Sequence, residues 1–305
     1  MELRHLRYFL SVAEFANVRA ASAHLHVSQP AVSRQIHDLE AELQVALFER
    51  TSRGLKLTEA GSTFLRCAQD ALARIDEGAR LARLSAAGRR GRLRLGVVDN
   101  AAWDGLVPAA LGRLQADAQD VSIQISPMNT PEQIAAIETG SLDGGFVYLF
   151  DPVPDGCEAI PLARHDVVLA APIAWKAAPG PAVLARQLLD QPFVLFQRQA
   201  YPAYYDRLVS ACSRAGLTLR VVQQVEGEAA VLSLVSAGIG LGIVNGANRG
   251  RPPARVRFLD LMDISVPLPL AFVHARANAN PALARFIGLL PTARSERLKA
   301  GMEEA

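Results

Sequence analysis

Cysteine is scarce: Cys67, Cys157 and Cys212 are the three thiols in a chain of 305 residues. Their odd number, wide separation and lack of metal-ligand spacing exclude a disulfide framework and a zinc module, and they fit a reducing compartment. Aromatic residues are also few, at 6%. The most apolar long stretch, Ala229 to Val244, is interrupted by Ser233, Ser236, Gly238, Gly240 and Gly242, so it reads as a buried helix, a turn and a strand rather than a membrane span. The start carries Glu2, Arg4 and Arg7 in an amphipathic pattern and lacks the apolar core and cleavage site of a secretory signal. A cytoplasmic location with no membrane partner is expected. Catalytic signatures are missing as well: there is no Gly-rich phosphate loop, no HExxH, no GxSxG and no clustered set of metal ligands. The isolated His165 and His274 read as structural, and neither an enzyme nor a cofactor nor a metal is indicated.

What remains is a globular chain, 50% hydrophobic and 20% charged, long enough for two domains or more. The net charge is only +2, but residues 1–90 hold thirteen Lys and Arg against ten Asp and Glu, and the rest nineteen against twenty. Four of the six histidines, His5, His24, His26 and His37, lie in the same basic segment.

Leu3, Leu6, Leu10 and Ala13 recur at helical spacing, predicting a first helix from Glu2 to Ala16. Arg19 to Leu25 is alanine-rich and predicts a short second helix. After His26 and Val27, Ser28 is placed to cap a third helix, with Pro30 in its first turn, running to about Leu43. On it Val32, Ile36, Leu39 and Leu43 share one face, while Pro30, Arg34, His37 and Ala41 occupy the opposite one with Ser33 at its edge. A short helix, a tight turn and a longer helix with a free polar face describe a helix-turn-helix, whose second helix enters a DNA major groove by its N-terminal residues. Gln29, Ser33 and Arg34 suit base edges or phosphates there. An ordinary three-helix core is the competing reading of the same spacing. Phe48, Leu55 and Leu57 then alternate with Arg50, Lys56 and Thr58 around Ser52-Arg53-Gly54, a hairpin forming a small wing with Arg53 at its tip. From Thr58 a single apolar stripe runs through Gly61, Phe64, Leu65, Ala68, Ala71, Leu72, Ile75, Ala79 and Ala82. A helix this long with one stripe needs a partner, and a second copy would supply it. Ala86-Ala87-Gly88-Arg89-Arg90-Gly91 ends it and reads as a hinge.

The segment Arg19-Ala20-Ala21-Ser22-Ala23-His24-Leu25-His26-Val27-Ser28-Gln29-Pro30-Ala31-Val32-Ser33-Arg34-Gln35-Ile36 resembles the helix-turn-helix of LysR-type transcriptional regulators. Leu47-Phe48-Glu49-Arg50, Arg53-Gly54 and Leu57-Thr58-Glu59-Ala60-Gly61 extend the resemblance over about 60 residues in the same order and spacing. It implies that Ser28, Gln29, Pro30, Ser33, Arg34, His37, Arg50 and Arg53 contact double-stranded promoter DNA. It also implies a homodimer through the long helix, a homotetramer built from two such dimers, bending of an interrupted palindrome, and RNA polymerase as a further candidate partner. Arg19 stands where relatives usually have a smaller polar residue.

Beyond residue 90, strand-like and helical runs alternate. Strands are expected at Leu93 to Val98, Val121 to Met128 and Gly145 to Phe150, with helices near Trp103 to Leu114 and after Thr130. A second set has strands at Asp166 to Ala171, Phe193 to Phe196, Leu219 to Val225 and Leu241 to Val244, with helices from Tyr204 to Ala215 and up to Gly238. A late strand, Val266 to Ala275, and a helix, Pro281 to Leu290, return the chain to the first lobe. This is an α/β fold with largely parallel sheets. The resemblance implies a two-lobed periplasmic-binding-protein-like effector domain with a ligand cleft. The expected division is 1–58 winged helix-turn-helix, 59–89 linker and dimerisation helix, and 90–305 effector-binding domain, lobe I being about 91–162 and 266–294 and lobe II about 163–265.

Thr130-Pro131-Glu132-Gln133 reads as a capping box, with threonine as the cap and Gln133 reaching back. A helix start opening on a cleft attracts a carboxylate, although the threonine could simply satisfy its own helix. The resemblance extends to regulators of aromatic-acid and catechol catabolism. It implies an anionic small-molecule effector held by a set drawn from Asn100, Ala101, Asn129, Thr130, Phe146, Tyr148, Phe196, Gln197, Arg198, Val225 and Glu226. Ala101 replaces a usual Ser or Thr, Gln197 a proline, Tyr148 a common Arg and Asn245 a proline, so a dicarboxylate finds fewer donors, for which Arg198 could compensate. The reading is a regulator that senses a small carboxylate and alters promoter bending. A ligand-independent DNA-binding repressor and a small-molecule binding module with a basic appendage remain open alternatives.

Overall fold

In a computed structural model that describes residues 1–51, 54–98, 101, 105–176 and 180–291, the chain divides into two units, Met1–Leu84 and Ser85–Ala305. The first begins with α1 (Leu3–Phe15), α2 (Val18–His24) and α3 (Gln29–Leu43), continues through the strands β1 (Phe48–Thr51) and β2 (Gly54–Leu57), and enters α4 (Glu59–Ala86). Leu6, Phe9 and Val12 of α1, Ala21 of α2, Val32, Ile36 and Leu39 of α3, Leu47 just before β1, and Ala68 of α4 are buried together. Phe9 is the centre of that core: its ring lies 5.3 Å from Phe48 and 5.1 Å from Phe64, tying α1 to the hairpin and to α4.

Polar side chains fix the angles between these elements. Asn17 caps α2, accepting from the N–H groups of Arg19 (2.8 Å) and Ala20 (3.2 Å). Glu40 of α3 accepts from the N–H groups of Leu47 (2.7 Å) and Phe48 (3.1 Å), fixing the start of the hairpin against α3. Thr58 Oγ1 donates to Ala46 O (2.8 Å) and accepts the Gly61 N–H (2.9 Å), starting α4 against the same loop. Gly54 has φ +125°, and a Cβ there would stand 2.7 Å from the carbonyl oxygen of Ala16. That carbonyl accepts the Leu55 N–H at 3.0 Å, so the hairpin seats on the end of α1. The hairpin tip at Ser52 and Arg53 lies outside the described residues.

The second unit holds two lobes. One has a five-stranded sheet in the order β4-β3-β5-β13-β6, made by β3 (Arg90–Val97), β4 (Asp120–Pro127), β5 (Gly144–Tyr148), β6 (Cys157–His165) and β13 (Leu268–Ala275), with helices α5 (Leu106–Asp117), α6 (Thr130–Glu138) and α9 (Pro281–Leu289). The other has a four-stranded sheet in the order β11-β7-β12-β8, from β7 (Val167–Pro172), β8 (Ala182–Val183), β11 (Gly242–Asn245) and β12 (Val256–Leu261). Beside it β9 (Pro192–Phe196) and β10 (Arg220–Val225) pair in parallel, with α7 (Pro202–Arg214) and α8 (Glu228–Ser236). A bridge between Phe193 and Leu241 joins β9 to the start of β11.

The expectation of largely parallel sheets is corrected: β3 pairs in parallel with β4 and β5, but β13 is antiparallel to β5 and β6, and β7 to β11 and β12. The reason is the double crossing between lobes. The chain leaves the first sheet after β6 and returns as β13 alongside it, so these two strands run in opposite senses. Asp166 joins the crossings, its Oδ1 accepting the N–H groups of Val167 and Val266, each at 2.7 Å. The strands β6, β8 and β12 were not expected from the sequence. In β6 the apolar alternation is broken by Pro161, which the structure tolerates because β6 is an edge strand. The first described turn of α5 starts at Leu106, three residues after the expected start at Trp103, which lies outside the described residues.

Candidate functional site

Two surfaces carry chemistry. On α3, Gln29, Pro30, Ser33, Arg34 and His37 are exposed while Val32, Ile36 and Leu39 are buried, so one face packs and the other is presented. Ser28 occupies the capping position without a side-chain cap bond, leaving its hydroxyl available at the exposed helix start. Gln29, Ser33 and His37 line a concavity with Arg19 of α2 and Arg50 of β1. Among the described residues, Arg19, Arg34 and Arg50 take part in no ion pair, so three guanidinium groups are available on this unit, those of Arg19 and Arg50 at the concavity. Arg19 was noted in the sequence as a departure and not as a member of this surface.

The second surface is a cavity of about 520 Å3 in the second unit, lined from one lobe by Val98, Thr130, Pro131, Ile134 and Tyr148 through Pro154, and from the other by Tyr201 through Tyr204, Glu228 and Asn245. This volume suits a small organic molecule. Aromatic side chains form much of its wall. Phe150 stacks with Tyr204 at 6.2 Å and Tyr204 with Phe196 at 4.8 Å, while Arg207 lies 5.1 Å from the Phe150 ring and donates to Phe150 O.

The helix start facing this cavity is capped by the chain itself. Asn129, not Thr130, caps α6: its side chain accepts the Glu132 N–H at 2.9 Å, and Glu132 reaches back to the Asn129 N–H at 3.1 Å. Gln133, expected to reach back, is instead fully buried and donates to Met128 O and Phe146 O, filling the space over Gly96 and Gly145. Pro131 has no N–H to offer, and the Gln133 N–H goes to Asn129 O. Thr130 is the first helical residue, and its hydroxyl donates to Tyr148 O at 3.3 Å.

Opposite it, the carboxylate of Glu228 is buried at the start of α8, where the helix dipole favours negative charge. Oε1 accepts from Tyr204 OH (3.0 Å) and the Asn245 N–H (2.9 Å), and Oε2 from Asn248 Nδ2 (2.7 Å) and the same N–H (3.1 Å). Both oxygens act as acceptors, the role of the ionised group. Burial, the neighbouring charge of Glu228 and the hydrogen bond to it hold the Tyr204 phenol well above its ordinary pKa, so its proton stays in place. Tyr148 OH meets His165 Nδ1 at 2.9 Å beside the first crossing.

Of the residues expected to hold an effector, Thr130 and Tyr148 line the cavity. Asn129 is committed to its cap. Phe146 is core, packed edge-on against Phe272 and Phe286, and Phe196 backs Tyr204 from within the other lobe. Ala101 is fully buried, and Asn100 lies outside the described residues. The Gln197 N–H donates to Val225 O at 2.7 Å, joining β9 to β10, and Glu226 is exposed. Arg198 is exposed and forms a two-pronged pair with Asp206, both contacts 2.7 Å, which raises its own pKa and lowers that of Asp206. Sequence reasoning missed Glu228, Asn248, Tyr201 and Tyr204. A glutamate opening a helix looks like dipole compensation, and only the substitution of proline by Asn245 signalled that an extra N–H was present to receive it.

A model of the LysR substrate binding domain matches residues 86–294, and one of the bacterial regulatory helix-turn-helix protein, lysR family, matches residues 3–62. The chain is 33% identical over 297 residues to the HTH-type transcriptional regulator ClcR of Pseudomonas putida, covering 97% of this chain and 100% of that one. It is 30% identical to the HTH-type transcriptional regulator AlsR of Bacillus subtilis, covering 94% of each. Among solved structures, CbnR, a LysR family transcriptional regulator, matches with a TM-score of 0.87 at 30% identity, covering 95% of this chain and 100% of that one. Full-length CbnR complexed with its target DNA matches with a TM-score of 0.83 at 29% identity, over 97% and 99% of the two chains.

Proposed function

Because the chain belongs to the LysR family of bacterial transcriptional regulators, DNA-binding proteins with an effector-binding domain, we propose that the exposed face of α3 reads promoter DNA and that the cavity between the lobes holds the effector that controls it. The observation that carries the first half is the single surface formed by Gln29, Ser33 and His37 with Arg19 and Arg50, beside the unpaired Arg34. Ser28 and Pro30 complete the N-terminal part of the helix that enters the groove, and Arg53, which lies outside the described residues, remains the candidate for a minor-groove contact. In this reading residues 1–58 bind DNA, 59–89 pair two copies, and 90–305 bind the effector, with lobe I at about 91–162 and 266–294.

Ile75 of α4 is 42% exposed, and Ala79 and Ala82 are exposed on the same stripe, an apolar strip that a second α4 would cover. Pairing there places two reading heads on neighbouring half-sites, and two such dimers make the tetramer that bends the promoter. A cytoplasmic location fits that role, and RNA polymerase is a further candidate partner. The cavity favours a ligand-responsive regulator over a ligand-independent repressor. A carboxylate effector is not carried into this reading, because Asn129 and Glu132 are committed to the α6 cap and Arg198 is engaged by Asp206.

A salt-titrated gel shift and footprint on the DNA upstream of the protein's own gene tests the reading. Specific protection is expected, and Arg34→Ala is expected to relax sequence preference by about 1–3 kcal/mol at one base position. A uniform loss across sequences with a shallower salt slope would move Arg34 to a phosphate, and absence of specific protection by the full chain would sink the reading.

A further inference from the structure

Among the described residues, the charged groups lining the inter-lobe cavity have one sign. Among the described residues that line it, the acids are Glu138, Asp151 and Glu228, and no Lys, Arg or His is among them. Glu138 and Asp151 are exposed, whereas Glu228 is 3% exposed and set into the wall. The nearby Arg207 has its guanidinium on Phe150 and on Phe150 O, and it lines a different, shallower depression.

The hydrogen-bonding balance points the same way. A ligand carboxylate needs donors, and several of those at this wall are already engaged: Thr130 Oγ1 on Tyr148 O, Tyr204 OH on Glu228 and the Asn245 N–H on Glu228. Each hydroxyl that has given its proton away keeps lone pairs, so Thr130 and Tyr204 offer acceptors. The wall between these groups is aromatic, with Tyr148, Phe150, Tyr201 and Tyr204. Aromatic faces attract cations and repel anions. An anion entering would meet fixed negative charge against a largely apolar wall, and a cation would gain from the same field.

Resting on the effector-binding reading above, we propose that the cavity selects a small amine, an ammonium group on an apolar or aromatic body, over the carboxylate of the same shape, with Glu228 as the residue that sets this preference. Glu228 acts through charge, since its lone pairs are filled by Tyr204, Asn245 and Asn248. The Asn245 N–H fixes both of its oxygens, a contact that a proline at that position could not make.

Titration calorimetry on the full-length protein tests this with benzyl, cyclohexylmethyl and n-hexyl bodies, each carrying an ammonium, a hydroxyl or a carboxylate. For any body that binds, the expected order is amine, then alcohol, then carboxylate, with the amine at least about tenfold tighter than the carboxylate. Glu228→Gln is expected to narrow that ratio, with Asp151→Asn at the exposed mouth narrowing it less should Glu228→Gln not fold. A carboxylate that binds as tightly as its amine, or a panel in which no amine binds, overturns the proposal. A gel shift with the same preparation separates the two claims: specific DNA binding with a carboxylate preference defeats only the ligand class, whereas loss of specific DNA binding defeats the regulator reading.

Discussion

Asp143 shows how one buried carboxylate holds a lobe together. It accepts from the Arg94 N–H (2.8 Å) and twice from the Arg94 guanidinium (3.0 and 3.2 Å), with Asn278 further off at 3.4 Å. Burial pushes its carboxyl upward, but the Arg94 contacts and the neighbouring Asn280 and Asn278 outweigh that and hold it below the ordinary carboxylate range. A depressed folded-state value stabilises the fold above the unfolded pKa, near 4, and that contribution is lost as pH falls through the folded value. Asp143→Asn is therefore expected to cost about 1–3 kcal/mol at pH 7 and to flatten the loss of stability below about pH 4, read by chemical denaturation across pH. An unchanged acid limb would contradict it. At this scale the sequence was informative where a residue's partners are local, as with the free face of α3. It was uninformative where partners come from distant segments: Glu228 gathers Tyr204, Asn245 and Asn248, and no spacing rule joins those positions.

Elements were the most legible level, because the helical stripe and the alternating pattern are properties of contiguous residues. The three helices, the hairpin and the long α4 all follow from periodicity, with ends that moved by a residue or two. The missed strands β6, β8 and β12 are those in which alternation is broken or short, and their existence depends on the strands they pair with: β13 for β6, β7 for β12 and β12 in turn for β8. The capping residue of α6 moved from Thr130 to Asn129 because an Asn one position earlier also accepts from the first turn. Two glycines in α4 give a paired prediction. A Cβ at Gly61 would stand 2.1 Å from the carbonyl oxygen of Leu47, a backbone atom that cannot yield, while nothing lies within 4 Å of a Cβ at Gly78. Gly61→Ala is expected to destabilise by about 1–3 kcal/mol and Gly78→Ala to stabilise by about 0.5–1 kcal/mol, measured by urea denaturation. Equal effects would contradict the close seating of α4 on the loop before β1.

At the scale of the whole molecule, the two lobes are joined at two crossings that share Asp166, with Tyr148 and His165 paired beside the first and the cavity next to them. A ligand that touches both lobes has differential affinity for their relative settings, which is what a switch requires. The antiparallel run of β6 against β13 was not legible in the sequence, since strand direction follows from how the chain returns and not from which residues form the strand. The measurement that bears most directly on the account is promoter bending and footprint length for the full-length protein on the DNA upstream of its own gene, with and without a ligand shown to occupy the inter-lobe cavity. The account predicts specific protection over separated half-sites in both cases, with the ligand changing the bend angle or the protected length. If both stay unchanged while transcription responds to the same ligand, the cavity does not control promoter geometry and the account is wrong.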